Sequence, residues 1–280
     1  MRSISAPQIT QAVTELCIRA DYYLPPDIEQ AIEEAIQIEE SPVGREVLRQ
    51  LIENARIART DDLPICQDTG LVVVFADVGQ DLHVTDGDLG EAIQEGVRRG
   101  YEQGYLRKSV VAHPIERLNT GDNTPAVIHF DIVPGDRLRL LIAPKGAGSE
   151  NMSAVKMLKP SEGAEGVKRF VVETVVAAGP NPCPPIIVGV GLGGTMEKAA
   201  IIAKKALLRK IGQGSVKPID AALEAELLDL INRTGIGPSG LGGRITALAV
   251  HVDSYPCHIA GLPVAVNIQC HAARHAEVTL

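Results

Sequence analysis

Aromatic residues are scarce in this chain. Its 280 residues include no tryptophan, three phenylalanines and five tyrosines, and aromatics make up 3% of the total. Hydrophobic residues nevertheless account for 45% of the chain, so the core must be built from Val, Ile, Leu and Ala. A chain of this length can bury a large core as one big domain or as two small ones.

Long apolar runs, an export signal and basic clusters are also absent. No apolar run approaches the roughly 20 residues that span a bilayer, so we expect no membrane partner. The first five residues contain no apolar signal core, and no export signal is visible. No Lys/Arg cluster offsets the formal net charge of −8, which argues against a nucleic-acid partner.

Cysteines are few, odd in number and widely scattered: Cys17, Cys66, Cys183, Cys257 and Cys270. This distribution predicts reduced thiols in a reducing cytoplasm. The tight C-x₂-C spacing of ferredoxin-type clusters and zinc knuckles does not occur. Any metal site made from these thiols would therefore have to be built by distant parts of the chain.

Apolar periodicity and turn residues predict a mixture of helices and strands. The predicted helices are 9–20, 27–38, 42–59, 86–102 (capped by Asp86), 162–178, one starting after Thr195, and 221–232. The predicted strands are 71–75, 126–133 and 137–143 (paired as a hairpin), 186–190, 245–252, 263–268 and an edge strand at 276–280. We expect an α+β (mixed α/β) fold with a helical N-terminal portion, residues 1–60. This portion would pack on a mixed-sheet portion, residues 61–280, and the two would form one catalytic domain.

The segment Pro64–Gly70 has the most unusual chemistry in the chain. It places a thiol, an amide, a carboxylate and a hydroxyl on consecutive residues, Cys66 to Thr69, just before a buried strand. Such a turn can hold a cofactor and a polar substrate together. The alternative is a buried cysteine beside an Asx-type turn, with Asp68 accepting a backbone hydrogen bond.

Three cysteines share one context, because Cys66, Cys183 and Cys270 each lie in a turn at the end of an apolar strand. Three thiolates on a [4Fe–4S] cluster would leave one iron without a protein ligand. Such an iron is a Lewis acid that can take a substrate carboxylate and hydroxyl. The alternative is three unrelated buried cysteines. We expect Cys17, on an apolar helix face, and Cys257 to be structural.

A glycine pattern, Gly189-x-Gly191-x-x-Gly194, matches the dinucleotide-binding fingerprint in form. No strand ending in Asp or Glu follows about twenty residues later, as that fingerprint requires. A nicotinamide enzyme is therefore a weak alternative, and a helix N-terminus facing an anion is more economical.

Several ordered motifs make the chain similar to a known family. The segment Pro64–Gly70 resembles the first cluster motif of the class I, iron–sulfur fumarate hydratases. Later motifs resemble that family in the same order: Leu106-Arg107, Asn119-Thr120-Gly121-x-Asn123-x-Pro125, Lys145–Ser149, Cys183-Pro184-Pro185 and Cys270-x-Ala272-x-Arg274. Together they cover the chain from about residue 40 to residue 280. One departure is Ala147, where the family usually has a glycine.

The resemblance implies roles for individual residues. Cys66, Cys183 and Cys270 would ligate a [4Fe–4S] cluster with one open iron, which makes residues 61–280 the cluster-binding portion. Gln67, Asp68, Arg107, Gly148 and His258 would contact a small dicarboxylate, with Asp68, Arg107 and His258 catalytic. His258 stands 12 residues before Cys270, as a substrate-contacting histidine does in the family. His271 and His275 are expected beside the last ligand rather than as ligands.

The resemblance also implies an activity and a partner. The chain is similar to the α subunit of a cytoplasmic hydro-lyase that hydrates fumarate reversibly to (S)-malate, a tricarboxylic acid cycle reaction. A β subunit would supply the remaining catalytic groups, in an αβ heterodimer or an α2β2 complex. Ser149 and His271, where the L(+)-tartrate dehydratase α subunit has a cysteine and an aromatic residue, favour fumarate over tartrate. A non-catalytic iron–sulfur scaffold is the alternative from another class.

Overall fold

A computed structural model describes residues 2–280 as a mixture of helices and strands. Its elements in chain order are β1 (Arg2–Ser5), α1 (Ala6–Tyr22), α2 (Pro26–Ile38), α3 (Pro42–Asp61), β2 (Leu71–Gly79), β3 (Leu82–Thr85), α4 (Leu89–Gln103), β4 (Val127–Val133), β5 (Leu138–Lys145), α5 (Ala147–Glu150), β6 (Ala154–Leu158), α6 (Gly163–Ala178), β7 (Ile186–Gly193), α7 (Met196–Ala206), α8 (Pro218–Asn232), β8 (Ala247–Tyr255), β9 (Leu262–Gln269) and β10 (Ala276–Thr279). The predicted α+β class is confirmed. Within residues 2–280, no helix combines the length and the apolar character needed to cross a membrane.

The chain divides into two compact units that each combine distant segments. The first unit comprises the chain up to Leu24, Ile57–Ala147 and Arg274–Leu280, and the second comprises Pro25–Arg56 and Gly148–Ala273. The predicted helical portion, residues 1–60, contributes α1 to the first unit and α2 with most of α3 to the second. That these parts share one catalytic role remains a prediction.

The first unit is organised around a four-stranded sheet in the order β10-β5-β2-β4. β2 is one of its two inner strands, antiparallel to β5 and parallel to β4. The helices α1 and α4 contribute buried residues to the same hydrophobic core as β2 and β5, including Ile9, Val13, Ile93 and Val97. This core fixes the position of β2 and therefore of its first residue, where the preceding turn enters the strand.

The predicted hairpin of 126–133 and 137–143 is wrong. Both segments form strands, β4 and β5, but β2 lies between them. Their connection crosses the end of β2, where the N–H of Gly79 donates to the carbonyl of Arg137 and that of Gln80 to the carbonyl of Val133. Alternating apolar residues on both sides of a Pro-Gly-Asp turn predict two strands. They do not show whether the two strands pair with each other or are separated by a third strand.

The predicted start of α4 at Asp86 is also displaced. The N-cap is Asp88, whose carboxylate accepts a hydrogen bond from the N–H of Glu91. Asp86 instead has a φ of 60° and belongs to the turn before the helix. Two aspartates two residues apart offer the same capping chemistry, so the sequence alone could not decide between them.

The second unit contains the sheet β6-β9-β7-β8, with α7 packed on β7. A Cβ on Gly189 would lie 2.1 Å from the carbonyl oxygen of Ala203, and one on Gly191 would lie 2.0 Å from that of Ala199. Close packing of a helix on a strand therefore accounts for two glycines of the dinucleotide-like pattern. Thr195 is the N-cap of α7, as predicted.

Candidate functional site

The turn Pro64–Gly70 leads into the first residue of β2, an inner strand of the first unit's sheet. Gln67 is exposed, Cys66 and Asp68 are partly buried, and Thr69 and Gly70 are buried. The Asp68 carboxylate accepts the N–H of Gly70 through Oδ1 at 3.1 Å and the N–H of Ala147 through Oδ2 at 2.9 Å. The Asx-type turn of the alternative interpretation is present, although Cys66 is only partly buried, and both oxygens of the Asp68 carboxylate are held by the backbone.

Gly70 allows this turn to lie against β5. Its φ is +74°, and a Cβ would lie 2.7 Å from the backbone nitrogen of Lys145. Any L side chain at this position would meet both a left-handed backbone and a backbone clash. The close approach of the turn to β5 therefore requires a glycine at position 70.

A buried frame ties the turn to the segment that carries Arg107. The Thr69 hydroxyl donates to the Arg107 carbonyl at 2.8 Å. Asn123, fully buried, donates from Nδ2 to the Gly70 carbonyl at 3.2 Å and accepts the Ser109 N–H at 2.6 Å. The backbone of Arg107 is therefore fixed beside the turn, while its guanidinium lies on an exposed residue. Of the site residues predicted from the sequence, Cys66, Gln67, Asp68 and Arg107 are brought together in this unit.

A buried ion pair lies behind the turn. Arg274 donates from Nη1 to Asp21 Oδ1 at 3.1 Å and also to the carbonyl of Asp68. Burial raises the pKa of the Asp21 carboxyl to about 7 against the opposing effect of the Arg274 cation. Asp21 was not among the site residues predicted from the sequence. It lies four positions after Cys17, on the same apolar face of the helix, and a carboxylate on such a face was the signal that could have identified it.

In the second unit, His271 links the turns of two predicted ligands. The carbonyl of Cys183 can only accept, so the contact of 3.0 Å to His271 Nδ1 requires the proton on that nitrogen. Cys270 directly precedes this histidine in the sequence. The unit therefore brings the turns of Cys183 and Cys270 together, and His271 is a neighbour of the predicted ligands, as expected.

The other two predicted site residues of the second unit are exposed, Gly148 within the short helix α5 and His258 in the loop after β8. Gly148 is exposed at the start of the second unit. His258 is exposed, and its Nδ1 accepts the N–H of Ala260 at 3.1 Å. The neutral ring consequently carries its proton on Nε2, which makes Nε2 the donor that His258 can offer. Cys257 donates its thiol to the Gly261 carbonyl.

The described cysteines differ in accessibility. Cys183 and Cys257 are exposed, whereas Cys66 and Cys270 are partly buried. Cys17 is fully buried, as predicted, and burial raises the pKa of its thiol far above the ordinary value. Within residues 2–280, no three His, Cys, Asp or Glu side chains already form a metal-binding group.

The Cys183 turn is supported by a buried carboxylate, Glu39. Its oxygens accept the N–H groups of Ser41, Arg244 and Ile245 at 2.8, 3.0 and 2.7 Å. These bonds hold the glycine-rich loop that follows α8, and in that loop the N–H of Ser239 donates to the Pro184 carbonyl. Burial would raise the pKa of Glu39, but the backbone donors outweigh it, so the pKa is lowered.

Substituting Glu39 with glutamine should therefore destabilise the chain. The NH₂ group of the glutamine amide would face backbone N–H donors, whose hydrogen bonds it cannot accept. We expect the free energy of unfolding to fall by about 2–4 kcal/mol at neutral pH. Because the folded pKa is lowered, the wild-type carboxylate stabilises the fold fully above the ordinary glutamate pKa of about 4.3. This contribution is lost as the pH falls through the folded pKa. The difference in the free energy of unfolding between wild type and Glu39→Gln should therefore shrink at low pH.

Urea unfolding at pH 7 and below pH 4 would measure this effect. Glu40→Gln is the matched control, because Glu40 has 76% side-chain exposure and pairs only across the surface with Arg244. The control should change stability by less than about 0.5 kcal/mol. A loss for Glu39→Gln no larger than that of the control would contradict the anchoring role.

Comparison with known proteins gives consistent matches along the chain. The family model described as Fumarate hydratase (Fumerase) matches residues 10–279. A Methanocaldococcus jannaschii protein named "Putative L(+)-tartrate dehydratase subunit alpha" is 48% identical over 275 residues, covering 96% of both chains. The L(+)-tartrate dehydratase subunit alpha of Escherichia coli (strain UTI89 / UPEC) is 33% identical over 282 residues, covering 97% of this chain and 92% of that protein.

Proposed function

Because the chain belongs to the fumarate hydratase (Fumerase) family, we propose that it is the α subunit of an iron–sulfur hydro-lyase acting on fumarate and (S)-malate. The single observation that carries this proposal is the family match across residues 10–279. The Asp68 carboxylate, fixed two residues after the Cys66 thiol, supports it.

The donor chemistry of three cysteines fits an iron–sulfur cluster. Cys66, Cys183 and Cys270 are at least partly accessible and lie outside the hydrophobic cores, in contrast to Cys17. We propose that these three thiolates hold the cluster. When bound, the cluster would supply a Lewis-acidic iron for the hydroxyl and one carboxylate of the substrate.

The residues of the turn have separable roles in the proposed reaction. Asp68, whose carboxylate orientation is fixed by two N–H groups, would move a proton to or from the departing or arriving hydroxyl. The Arg107 guanidinium would bind a substrate carboxylate through its planar fork and offset the charge that develops there. Gln67 would hydrogen-bond the same substrate through its exposed amide.

Gly148 and His258 would complete the contribution of this chain. Gly148 would offer its backbone N–H to the dicarboxylate, and His258 would donate from Nε2 to a carboxylate oxygen. The names of the relatives contain the words "subunit alpha", and we propose a β subunit in an αβ or α2β2 complex that supplies the remaining groups. The five free cysteines support a reducing compartment, for which we propose the cytoplasm.

Tartrate is the second candidate substrate, since the relatives are named as L(+)-tartrate dehydratase subunits. The test is to co-express the chain with its β partner, load the cluster anaerobically and compare kcat/KM for fumarate, (S)-malate and L(+)-tartrate. We expect at least a tenfold preference for fumarate and malate, with (R)-malate as an unreactive control. The reverse preference would establish the tartrate alternative, and no turnover of any acid by a cluster-loaded complex would favour a scaffold.

A further inference from the structure

The ion pair of Asp21 and Arg274 is buried to an unusual degree. Asp21 is 0% exposed and Arg274 is 1% exposed. Taking two charges out of water is costly, and such a pair is often no more stabilising than apolar residues of the same volume. Its presence in the core of the first unit therefore needs an explanation beyond stability.

The contacts of the pair supply this explanation. The backbone carbonyl of Asp21 accepts the N–H of Ile65 at 2.9 Å. The side chain of Asp21 holds Arg274, which donates to the carbonyl of Asp68. Asp21, at the end of α1, is thus connected to the turn at two points. Its backbone carbonyl bonds Ile65 directly, and its side chain holds the Arg274 guanidinium that bonds Asp68. The two contact points flank Cys66 and Gln67.

We propose that Asp21 and Arg274 form a clamp that fixes the main chain on both sides of Cys66 and Gln67. Both are positioning residues, since they act through the turn and not on the substrate. The catalytic consequence rests on the proposed function. The clamp itself is a property of the folded chain and can be measured without any activity.

Arginine has the chemistry that this position requires. Its guanidinium presents several donors in a rigid plane, and here one nitrogen, Nη1, reaches both the Asp21 carboxylate and the Asp68 carbonyl. The Asp68 carboxylate is close enough to Asp21 to raise the pKa of Asp21 further. Arg274 also supplies the positive charge that offsets these two carboxylates.

Hydrogen–deuterium exchange of the full chain would test the clamp. In Asp21→Asn and Arg274→Lys, amides of residues 64–70 should exchange at least tenfold faster than in wild type, while α8 and β8 of the second unit stay unchanged. The double variant Asp21→Leu/Arg274→Met removes both buried charges together and thereby avoids leaving one of them uncompensated. It should fold and show the same fast exchange. Wild-type protection of residues 64–70 in the double variant, or equal acceleration across the chain, would overturn the proposal.

Kinetics of the cluster-loaded complex would test the consequence. Asp21→Asn should lower kcat by tenfold or more and should add little to the defect of Asp68→Asn, because both act on one turn. The control is Glu224→Gln, which breaks the buried Arg209–Glu224 pair of the second unit. It should lower stability without changing kcat below its melting temperature. If Asp21→Asn lowers kcat no more than this control, the positioning role is excluded even when the complex is active.

Discussion

Asp68→Asn is expected to lower kcat of the cluster-loaded complex by about 10²- to 10⁴-fold, the range that a positioned proton-transfer group contributes. Asparagine retains the size of aspartate but cannot exchange a proton with the substrate hydroxyl. Its carbonyl oxygen can still accept one of the N–H groups of Gly70 and Ala147. The chain should therefore fold, bind the cluster and remain nearly inactive.

A loss of kcat could also come from the disturbed turn, so the variant needs a structural control. Asp122 is a second turn carboxylate of the first unit, which accepts the N–H of Thr124 at 3.0 Å and pairs with Arg98. Asp122→Asn should weaken its own turn and leave kcat within about threefold of wild type, since Asp122 has no proposed contact with the substrate. Steady-state kinetics and iron content would be measured for both variants. Full activity of Asp68→Asn would favour the non-catalytic scaffold.

The second large effect is expected from the cysteines. Cys66→Ser, Cys183→Ser and Cys270→Ser should each lower the cluster bound per chain by at least tenfold after anaerobic reconstitution. A serine hydroxyl remains protonated near neutral pH and is a poor ligand for iron that prefers soft thiolates. Iron, sulfide and the visible absorbance of the cluster report this loss directly, without an activity assay.

Cys257→Ser is the matched control for this series. Cys257 is exposed and its thiol already donates to the Gly261 carbonyl, a bond that serine can reproduce. The control should therefore load the cluster as fully as wild type. Full loading of any one of the three proposed ligand variants would remove that cysteine from the ligand set, and loss of loading in Cys257→Ser would add a fourth candidate.

Local patterns predicted much of the fold because the forces that they encode are local. Proline at the start of a helix and apolar stripes located α1, α2 and α3, and β-branched runs located β2 and β7. The hairpin failed because strand order depends on which strand fills the position between two others. The short sequence window that contains β4 and β5 does not include β2, which ends 48 residues before β4 begins.

The candidate site shows the same division. Asp68 could be singled out because its neighbours concentrate polar chemistry in seven residues. Asp21 could not be matched to Arg274, because 253 residues separate them and no short motif contains both. Likewise, Glu39 is an ordinary acidic residue in the sequence, and its role depends on N–H groups about 200 positions later.

The distance along the chain between Asp21 and Arg274 has a consequence for biosynthesis. Translation delivers the N-terminal segments first, so Asp21 and the Cys66 turn leave the ribosome long before residue 274 is made. Until then the Asp68 carbonyl lacks its guanidinium partner, and Cys270 has not yet been made. Under the proposed ligand set, iron–sulfur delivery to this chain must therefore follow synthesis through residue 270, and a nascent chain stalled earlier would be a poor acceptor for the cluster.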